Sequence, residues 1–251
     1  MMVRSVLTDD MWNKIEPLLP PLGGYWGRPY KPHRKIVEGI LWILKTGSPW
    51  RELPSEYGPW KTCYTRFNRW SKKGIWQEVC NALKDDIDNE NYSVDSSHIK
   101  AHQDACRVKN QKEECLGTSR GGITSKIHAL TDGLGRCVKF ILTPGQVHDS
   151  KQMIPLLEGE TCENVLADKA YDTDEIRDYI RNMGANAVIP PKKNRSQPID
   201  YDKHIYKERH LVEIFFQFIK RFRRIGTRYE KHAQNFSAMV TIGCILHWCI
   251  F

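Results

Sequence analysis

The sequence contains no Cys-x2-Cys pair, although eight of its 251 residues are cysteines. Cysteines at that spacing are usual ligands of structural zinc, so the pattern does not favour a zinc-finger fold. Cys244 and Cys249 flank His247, but this tail is apolar and lacks a fourth convincing ligand. We therefore expect reduced thiols in a cytosolic protein.

Long hydrophobic runs are also scarce. The first ten residues have no apolar stretch of the kind that a signal peptide needs, and the run 236–251 is shorter than the ~20 residues that span a bilayer. We expect neither secretion nor membrane insertion, and the sequence predicts a cytoplasmic protein.

Acidic residues are few in one particular segment. Residues 190–232 contain 12 Lys and Arg against 5 Asp and Glu, whereas residues 129–189 contain 6 against 10. The whole chain has a formal net charge of +8. A basic segment favours a polyanionic partner such as nucleic acid, although a basic surface can also serve solubility alone.

The first part of the chain, residues 1–90, is predicted to be all-helical. Apolar spacing and capping residues predict helices at 8–19, 34–46 and 60–72. Residues 20–29 are rich in proline and glycine and are predicted to form a loop.

The helix at 60–72 has two distinct predicted faces. Lys61 and Arg69 belong to a basic outer stripe, which is compatible with the recognition helix of a helix-turn-helix domain that reads a DNA groove. A plain helical bundle with a solvated face is the alternative. The predicted inward residues are Trp60, Cys63, Tyr64, Phe67 and Trp70.

The second part of the chain alternates strands and helices. A long hydrophilic stretch at 96–120 follows the first strand, and Asp149 is predicted to cap the first helix. The resulting order is typical of a mixed α/β fold. Strands are predicted at 92–95, 122–131, 136–143, 165–167 and 187–189, and helices at 149–157, 173–182 and 206–220.

Two of these strands run into an aspartate. Asp95 follows Tyr-Ser-Val, and Asp168 follows Asn-Val-Leu-Ala. A single aspartate after a strand usually forms a turn or caps a helix. Divalent-metal sites for phosphoryl transfer, however, need several carboxylates that converge from rigid elements.

A third carboxylate lies on the helix predicted at 206–220. At 100° per residue, Tyr206, Arg209, Glu213 and Lys220 share one narrow face. A solvated face with an Arg209–Glu213 ion pair is the alternative interpretation. The opposite, apolar face consists of Leu211, Ile214, Phe215, Phe218, Ile219 and Phe222.

These residues resemble the DDE transposases of bacterial insertion sequences, in the insertion-sequence four/five-like group that carries Tyr-x2-Arg-x3-Glu-x6-Lys. The resemblance covers residues 92–236, and one departure is Ile214, where many relatives carry Asn. Five further runs fit the same relatives, namely those at 95–102, 119–128, 142–149, 167–171 and 189–191.

The resemblance implies an RNase H-like catalytic domain at 91–251, preceded by an all-α helix-turn-helix-like DNA-binding domain at 1–90. It further implies that Asp95, Asp168 and Glu213 hold two Mg²⁺ ions, for which Mn²⁺ can substitute. The implied partners are double-stranded DNA, as the terminal inverted repeats and the target, and at least one further copy of the chain.

The resemblance also implies that the protein is associated with the nucleoid and that a set of mostly positively charged residues holds the DNA backbone. Tyr206, Arg209 and Lys220 match positions that hold the phosphate of the terminal nucleotide in the family. Two alternatives stay open, a DNA-binding repressor or decayed element product, and an RNase H-like nuclease that only hydrolyses. The other expected backbone contacts are Lys192, Lys193, Arg195, Arg221, Arg223, Arg224 and Arg228.

Overall fold

The computed structural model describes residues 7–21, 32–84, 86–195, 197 and 199–250. The loop predicted at 20–29 lies outside these residues from position 22 onward. In chain order the elements are α1 (Asp9–Ile15), α2 (His33–Thr46), α3 (Trp60–Lys72), α4 (Ile75–Ala82), β1 (Asn91–Ala101), α5 (Gln103–Cys106), β2 (Gly117–Ser119), β3 (Gly122–Thr131), β4 (Cys137–Pro144), α6 (Met153–Leu157), β5 (Asn164–Leu166), α7 (Asp174–Asn182), β6 (Asn186–Val188), α8 (His210–Lys220), α9 (Arg223–Gly226), β7 (Thr227–Arg228) and α10 (Ala233–Ile250).

The chain forms two compact units. We call them the helical unit, which contains the described residues before Asp86, the segment His102–Arg107 and the residues from Ile219 onward, and the sheet unit, Asp86–Ala101 with Val108–Phe218. The end of the chain thus clusters with the N-terminal helices. The functional division into 1–90 and 91–251 stays a prediction.

Local signals placed the first helices correctly. The Thr8 side chain accepts a hydrogen bond of 3.2 Å from the Met11 amide and so caps α1. Helix α2 ends at Gly47, which has φ of 72°, a left-handed conformation that favours glycine. The connection 47–59 to α3 contains two 3₁₀ turns and is therefore longer than the 3–4-residue turn typical of helix-turn-helix motifs.

Helix α3 spans the predicted residues, but its inner face differs from the prediction. Arg66 is buried, and its Nη1 lies 2.7 Å from Nδ1 of His33. Tyr64 was predicted to face inward, yet 37% of its surface is exposed. The inner position is filled by a guanidinium that also lies over the Trp70 ring, so Tyr64 stays at the surface.

Helix α10 is apolar on all sides, as expected for a helix enclosed by others. It begins at Ala233 and so is longer than the apolar run that we noted from the sequence. Its 18 residues suffice in length and composition to cross a membrane, but 72% of the helix is buried inside the protein. Its packing against α3 and α4 identifies it as the core helix of the helical unit.

The sheet unit contains a mixed sheet with the order β4-β3-β1-β5-β6, and β2 pairs with the start of β3. Strand β3 pairs antiparallel with both β1 and β4, whereas β1, β5 and β6 run parallel. Three antiparallel strands followed by parallel strands joined through helices are the arrangement of an RNase H-like domain.

Strand β1 is longer than predicted, because it continues through Ala101 into the hydrophilic stretch at 96–120. Residues 96–100 pair with 128–124 of β3, so the ladder satisfies their backbone groups despite their polar side chains. The first half of β1 is buried on both faces, as expected of a central strand. It supplies Tyr92 and Val94 to a core with residues of α6 and α7.

The helix predicted at 206–220 consists of two elements. A 3₁₀ turn at Ile205–Arg209 precedes α8. A 3₁₀ turn has about three residues per turn, so the wheel angles of Tyr206 and Arg209 relative to the residues of α8 differ from the prediction. Ile214, predicted to be inside, is 44% exposed, and the buried residues of α8 are Val212, Phe215, Phe216 and Ile219.

Candidate active site

The topology of the sheet brings two aspartates to one edge. Ser93 of β1 pairs with Leu166 of the parallel strand β5. Asp95 and Asp168 each lie two residues beyond this pair, so both come directly after the segment in which β1 and β5 are paired, Asp95 within β1 and Asp168 after β5. Asp95 accepts a 2.7 Å hydrogen bond from the Ser96 amide, and Asp168 accepts one of 2.7 Å from Ala170 and caps a short turn.

Arg209 joins the first aspartate to the third carboxylate. Its Nη1 donates to Oδ2 of Asp95 over 3.2 Å, and its Nη2 donates to Oε1 of Glu213. The side chain of Arg209 is only 19% exposed, whereas that of Glu213 is 48% exposed. One guanidinium therefore bridges a carboxylate of β1 and a carboxylate of α8.

The three carboxylates interact electrostatically. Burial raises the pKa of Asp95, and the negative charges of Asp168 and Glu213 raise it further, while Arg209 opposes both effects. Like charges that destabilise one another attract a cation. In this structure the cation at Asp95 and Glu213 is the guanidinium of Arg209.

The donor set fits a hard divalent cation, because carboxylate oxygens are the ligands that Mg²⁺ and Mn²⁺ prefer. The three carboxylates are not arranged as a metal site in this structure. Within the part of the chain that the structure describes, no three His, Cys, Asp or Glu side chains are grouped closely enough to hold a metal ion. Arg209 occupies two of the donors instead.

A ladder of side-chain amides fixes the start of the segment that carries Arg209. Asn91, Asn164 and Asn186 lie side by side on three parallel strands. Asn186 donates to Asn164 over 3.1 Å, Asn164 donates to Asn91 over 2.8 Å, and Asn91 donates to Oε2 of Glu208 over 2.7 Å. Glu208 thus anchors the 3₁₀ turn next to Arg209, and sequence analysis assigned it no such role.

A buried polar network lies next to Asp95 along the sheet. Asp149 accepts hydrogen bonds from Ser96 Oγ at 2.6 Å and from Lys126 Nζ at 2.9 Å. Burial disfavours its charge, but these hydrogen bonds outweigh burial and lower the pKa of Asp149. The prediction that Asp149 caps a helix is wrong, because His148 occupies the cap position and makes no side-chain cap bond.

His128 belongs to the same network. It is fully buried, its Nε2 lies 2.8 Å from Thr143 Oγ1, and its Nδ1 lies 3.7 Å from Asp149. Burial lowers its pKa to about 4, so the ring is neutral at pH 7. The runs 119–128 and 142–149 were the sequence signal for this network, since they end at His128 and Asp149.

The other residues of the tetrad lie in different surroundings. Tyr206 stands next to Arg209, with its ring 6.0 Å from the guanidinium carbon, and is edge-on to Tyr201 at 5.4 Å. Lys220 is the last residue of α8 and belongs to the helical unit. The sheet unit therefore brings together Tyr206, Arg209 and Glu213.

The expected DNA contacts differ in exposure. Lys61, Arg69, Lys193 and Arg223 are exposed, and Lys192 is partly buried. The Lys192 amide donates to Asp172 over 2.7 Å, which ties the basic segment to the sheet unit.

Three of the expected arginines are engaged elsewhere. Arg224 is buried and donates to Glu230 over 2.6 Å, and Arg228 is fully buried. Arg195 pairs with Asp172 and Asp174. The proposed DNA surface therefore does not include these three arginines.

The sheet order and the position of Asp95 and Asp168 define an enzyme domain of the RNase H-like class. Residues 89–249 match the family described as "Transposase DDE domain", and residues 7–80 match "Putative transposase of IS4/5 family". The chain therefore belongs to the DDE-domain transposases. Members of this family act on DNA and generally use divalent metal ions.

Individual relatives agree with this assignment. The chain is 39% identical over 128 residues to a protein of Brucella ovis named "Putative transposase for insertion sequence element IS6501", an alignment that spans 50% of this chain and 98% of that protein. It is 29% identical over 141 residues to "Putative transposase for insertion sequence element IS402" of Burkholderia cepacia, covering 51% and 64%.

Among solved structures, the piggyBac transposase synaptic complex with hairpin DNA is similar, with a TM-score of 0.49 and 11% identity. The alignment covers 97% of this chain and 72% of that one.

Proposed function

We propose that this transposase binds the ends of its insertion sequence and catalyses metal-dependent cleavage and transfer of DNA strands. The observation that carries the proposal is the bridge formed by Arg209 between Asp95 and Glu213, with the charge of Asp168 close enough to act on Asp95. Arg209 pairs with two of the three carboxylates, and the third, Asp168, acts on Asp95 through its charge. Converging carboxylates are the ligands that a divalent metal ion for phosphoryl transfer needs.

Asp95, Asp168 and Glu213 would hold two Mg²⁺ ions, with Mn²⁺ as a substitute. Bound there, such ions lower the pKa of an attacking water or 3′-hydroxyl and stabilise the leaving oxygen. The carboxylates supply hard ligands, and the pairing of β1 with β5 just before Asp95 and Asp168 keeps those ligands in place.

Arg209 has to release both carboxylates before they can hold a metal ion. A guanidinium binds a phosphate as readily as a carboxylate, because both present two oxygens to its fork of N–H donors. We infer that the phosphate of a terminal nucleotide draws Arg209 away from Asp95 and Glu213. Tyr206, beside the guanidinium, would contact the same phosphate. Lys220 is proposed as a phosphate contact on the family signature alone.

Binding of double-stranded DNA is assigned to the exposed cations. Lys61 and Arg69 on α3 hold the terminal repeat, and Lys192, Lys193 and Arg223 contact the backbone. The active complex contains at least two copies of the chain, because it joins two element ends to a target. The protein works in the cytoplasm, where it meets the chromosome.

The test incubates the purified protein with labelled DNA that contains an element end and its genomic flank. Ca²⁺ should support binding alone, whereas Mg²⁺ or Mn²⁺ should support binding, cleavage and joining to a target. Binding without cleavage in any metal would indicate a repressor, and cleavage without joining a nuclease. Cleavage in excess chelator would exclude the metal-dependent mechanism.

A further inference from the structure

A cleft of about 990 Å³ lies within the helical unit, and all its lining residues belong to that unit. Its walls come from the turn that contains Trp50, from the start of α3, from α5 and from the segment between α9 and α10. None of these lining residues is a member of the carboxylate site.

Buried polar contacts hold the walls in place. Arg224 donates to the carbonyls of Gly47 at 3.2 Å and Ser48 at 2.8 Å, and its Nε donates to Glu230. The His102 amide donates to the Arg228 carbonyl over 2.9 Å and so attaches α5. The cleft is therefore preformed, which lowers the ordering cost of a ligand.

Aromatic rings line the cleft in fixed orientations. Trp50 and Tyr64 meet edge to face with centroids 5.4 Å apart, and His102 and Tyr229 lie 4.8 Å apart. Trp60 also lines it. Cations lie over two of these rings, Arg51 over Trp60 at 5.8 Å and Arg224 over Tyr229 at 5.1 Å, whereas Tyr64 is 37% exposed. Exposed rings that packing holds in place are platforms on which flat ligands stack.

The charge of the lining is mainly positive. Arg51, Arg107 and Lys231 are exposed, and the carboxylate among the lining residues, that of Asp104, lies 3.3 Å from His102. The cleft is thus suited to a ligand that combines flat rings with negative charge.

We propose that this cleft binds an unpaired stretch of DNA, with bases stacked on Trp60 and Tyr64 and phosphates against Arg51, Arg107 and Lys231. Duplex DNA fits less well, because base pairing and stacking hide the faces of its bases. An acidic peptide would satisfy the cations but not the rings. The choice of DNA as the polyanion rests on the proposed function.

The experiment measures the anisotropy of a labelled oligothymidylate in excess chelator, so that no cleavage takes place. Competitors are the unlabelled oligonucleotide, a duplex of equal length and polyglutamate. The single strand should compete best. Equal competition by the duplex or by polyglutamate would overturn the proposal.

Substitutions locate the binding site. Tyr64→Ala removes an exposed ring and should weaken binding of the single strand about tenfold. Arg107→Gln should reduce the slope of log K against log salt by about 0.7, as expected for one phosphate contact on a single strand. The matched controls outside the lining are Trp42→Leu and Lys73→Gln, and an equal effect of these controls would contradict the assignment.

Tryptophan emission provides a second measurement on the folded protein. Trp60→Phe keeps a stacking surface, so binding should persist while part of the quenching caused by the oligonucleotide disappears. Unchanged quenching in both Trp60→Phe and Trp50→Phe would place the ligand elsewhere. The Glu213→Gln protein should bind the single strand as the parent does, so loss of cleavage and loss of this site can be told apart.

Discussion

Arg209 donates a hydrogen bond of 3.2 Å to Asp95, a residue 114 positions earlier in the chain, and so links the end of the 3₁₀ turn to the central strand. The same guanidinium also pairs with Glu213. The single positive charge of Arg209 therefore offsets part of the negative charge of these two carboxylates. Metal binding and the position of Arg209 should then depend on each other.

Replacement of Arg209 tests this dependence. Arg209→Ala leaves Asp95 and Glu213 without their cation, so without DNA the protein should bind Ca²⁺ or Mn²⁺ more tightly, by roughly 5- to 10-fold. Single-turnover cleavage should nevertheless slow, because the terminal phosphate loses its guanidinium. Metal-dependent thermal stabilisation measures the first effect, and cleavage of a labelled end the second. Equal metal affinity in both proteins would rule out competition between Arg209 and the metal.

The substitution Glu213→Gln tests whether cleavage needs the negative charge of this side chain. It preserves the length of the side chain but removes a negative ligand, so cleavage should fall roughly 100-fold or more while binding of the element end survives. Glu208→Gln is the matched control, because the amide oxygen can still accept the hydrogen bond from Asn91. Its cleavage should stay close to that of the parent.

The outcome that contradicts this assignment is equally definite. If Glu213→Gln cuts as well as the parent, or if Glu208→Gln alone is inactive, the third carboxylate is on the wrong residue. Single-turnover cleavage and a binding assay on the same DNA distinguish these results.

Lys61 and Arg69 test the recognition helix. Their double replacement by alanine should weaken binding to the element end and lower the salt slope by about 2, since two phosphate contacts are lost. Slow cleavage should remain at high protein concentration. The control is the pair Lys14→Ala and Lys35→Ala, which removes two exposed cations of α1 and α2. Unchanged binding in the α3 variant would move recognition to the segment after Pro191.

The buried His128 predicts a pH dependence of stability. Its pKa is lowered to about 4, from 6.5 in the unfolded chain, so the unfolded state binds more protons between these values. The stability that the neutral, buried His128 contributes to the free energy of unfolding is fully present above pH 6.5. It is lost as pH falls towards 4, by up to about 3 kcal/mol. Burial also lowers the pKa of His33, so this residue likewise makes the free energy of unfolding decrease as the pH falls.

Urea unfolding at pH 7, 6 and 5 measures this contribution. His128→Gln should have a smaller loss of stability on acidification than the parent, while His204→Gln, at an exposed position, should behave as the parent does. The same pH profile in parent and His128→Gln would exclude His128 as the source.

Much of the local structure followed from the sequence, because the relevant signals act over a few residues. Thr8 and Gly47 mark where helices start and stop through caps and backbone conformation. The strands predicted at 122–131 and 136–143 agree with β3 and β4 within one residue at each end. The aspartates at 95 and 168 were candidates because each follows a short apolar run, and the parallel pairing of β1 with β5 explains why they share an edge.

Only the tertiary structure decided which side chains meet. The pairing of Arg209 with Asp95, the network of Asp149 with Ser96 and Lys126, and the exposed position of Tyr64 all depend on contacts between distant segments. Periodicity cannot predict such contacts, because it gives the face of an element but not its neighbour. The hydrogen bond from Asn91 to Glu208, which anchors the 3₁₀ turn before α8, likewise joins residues 117 positions apart.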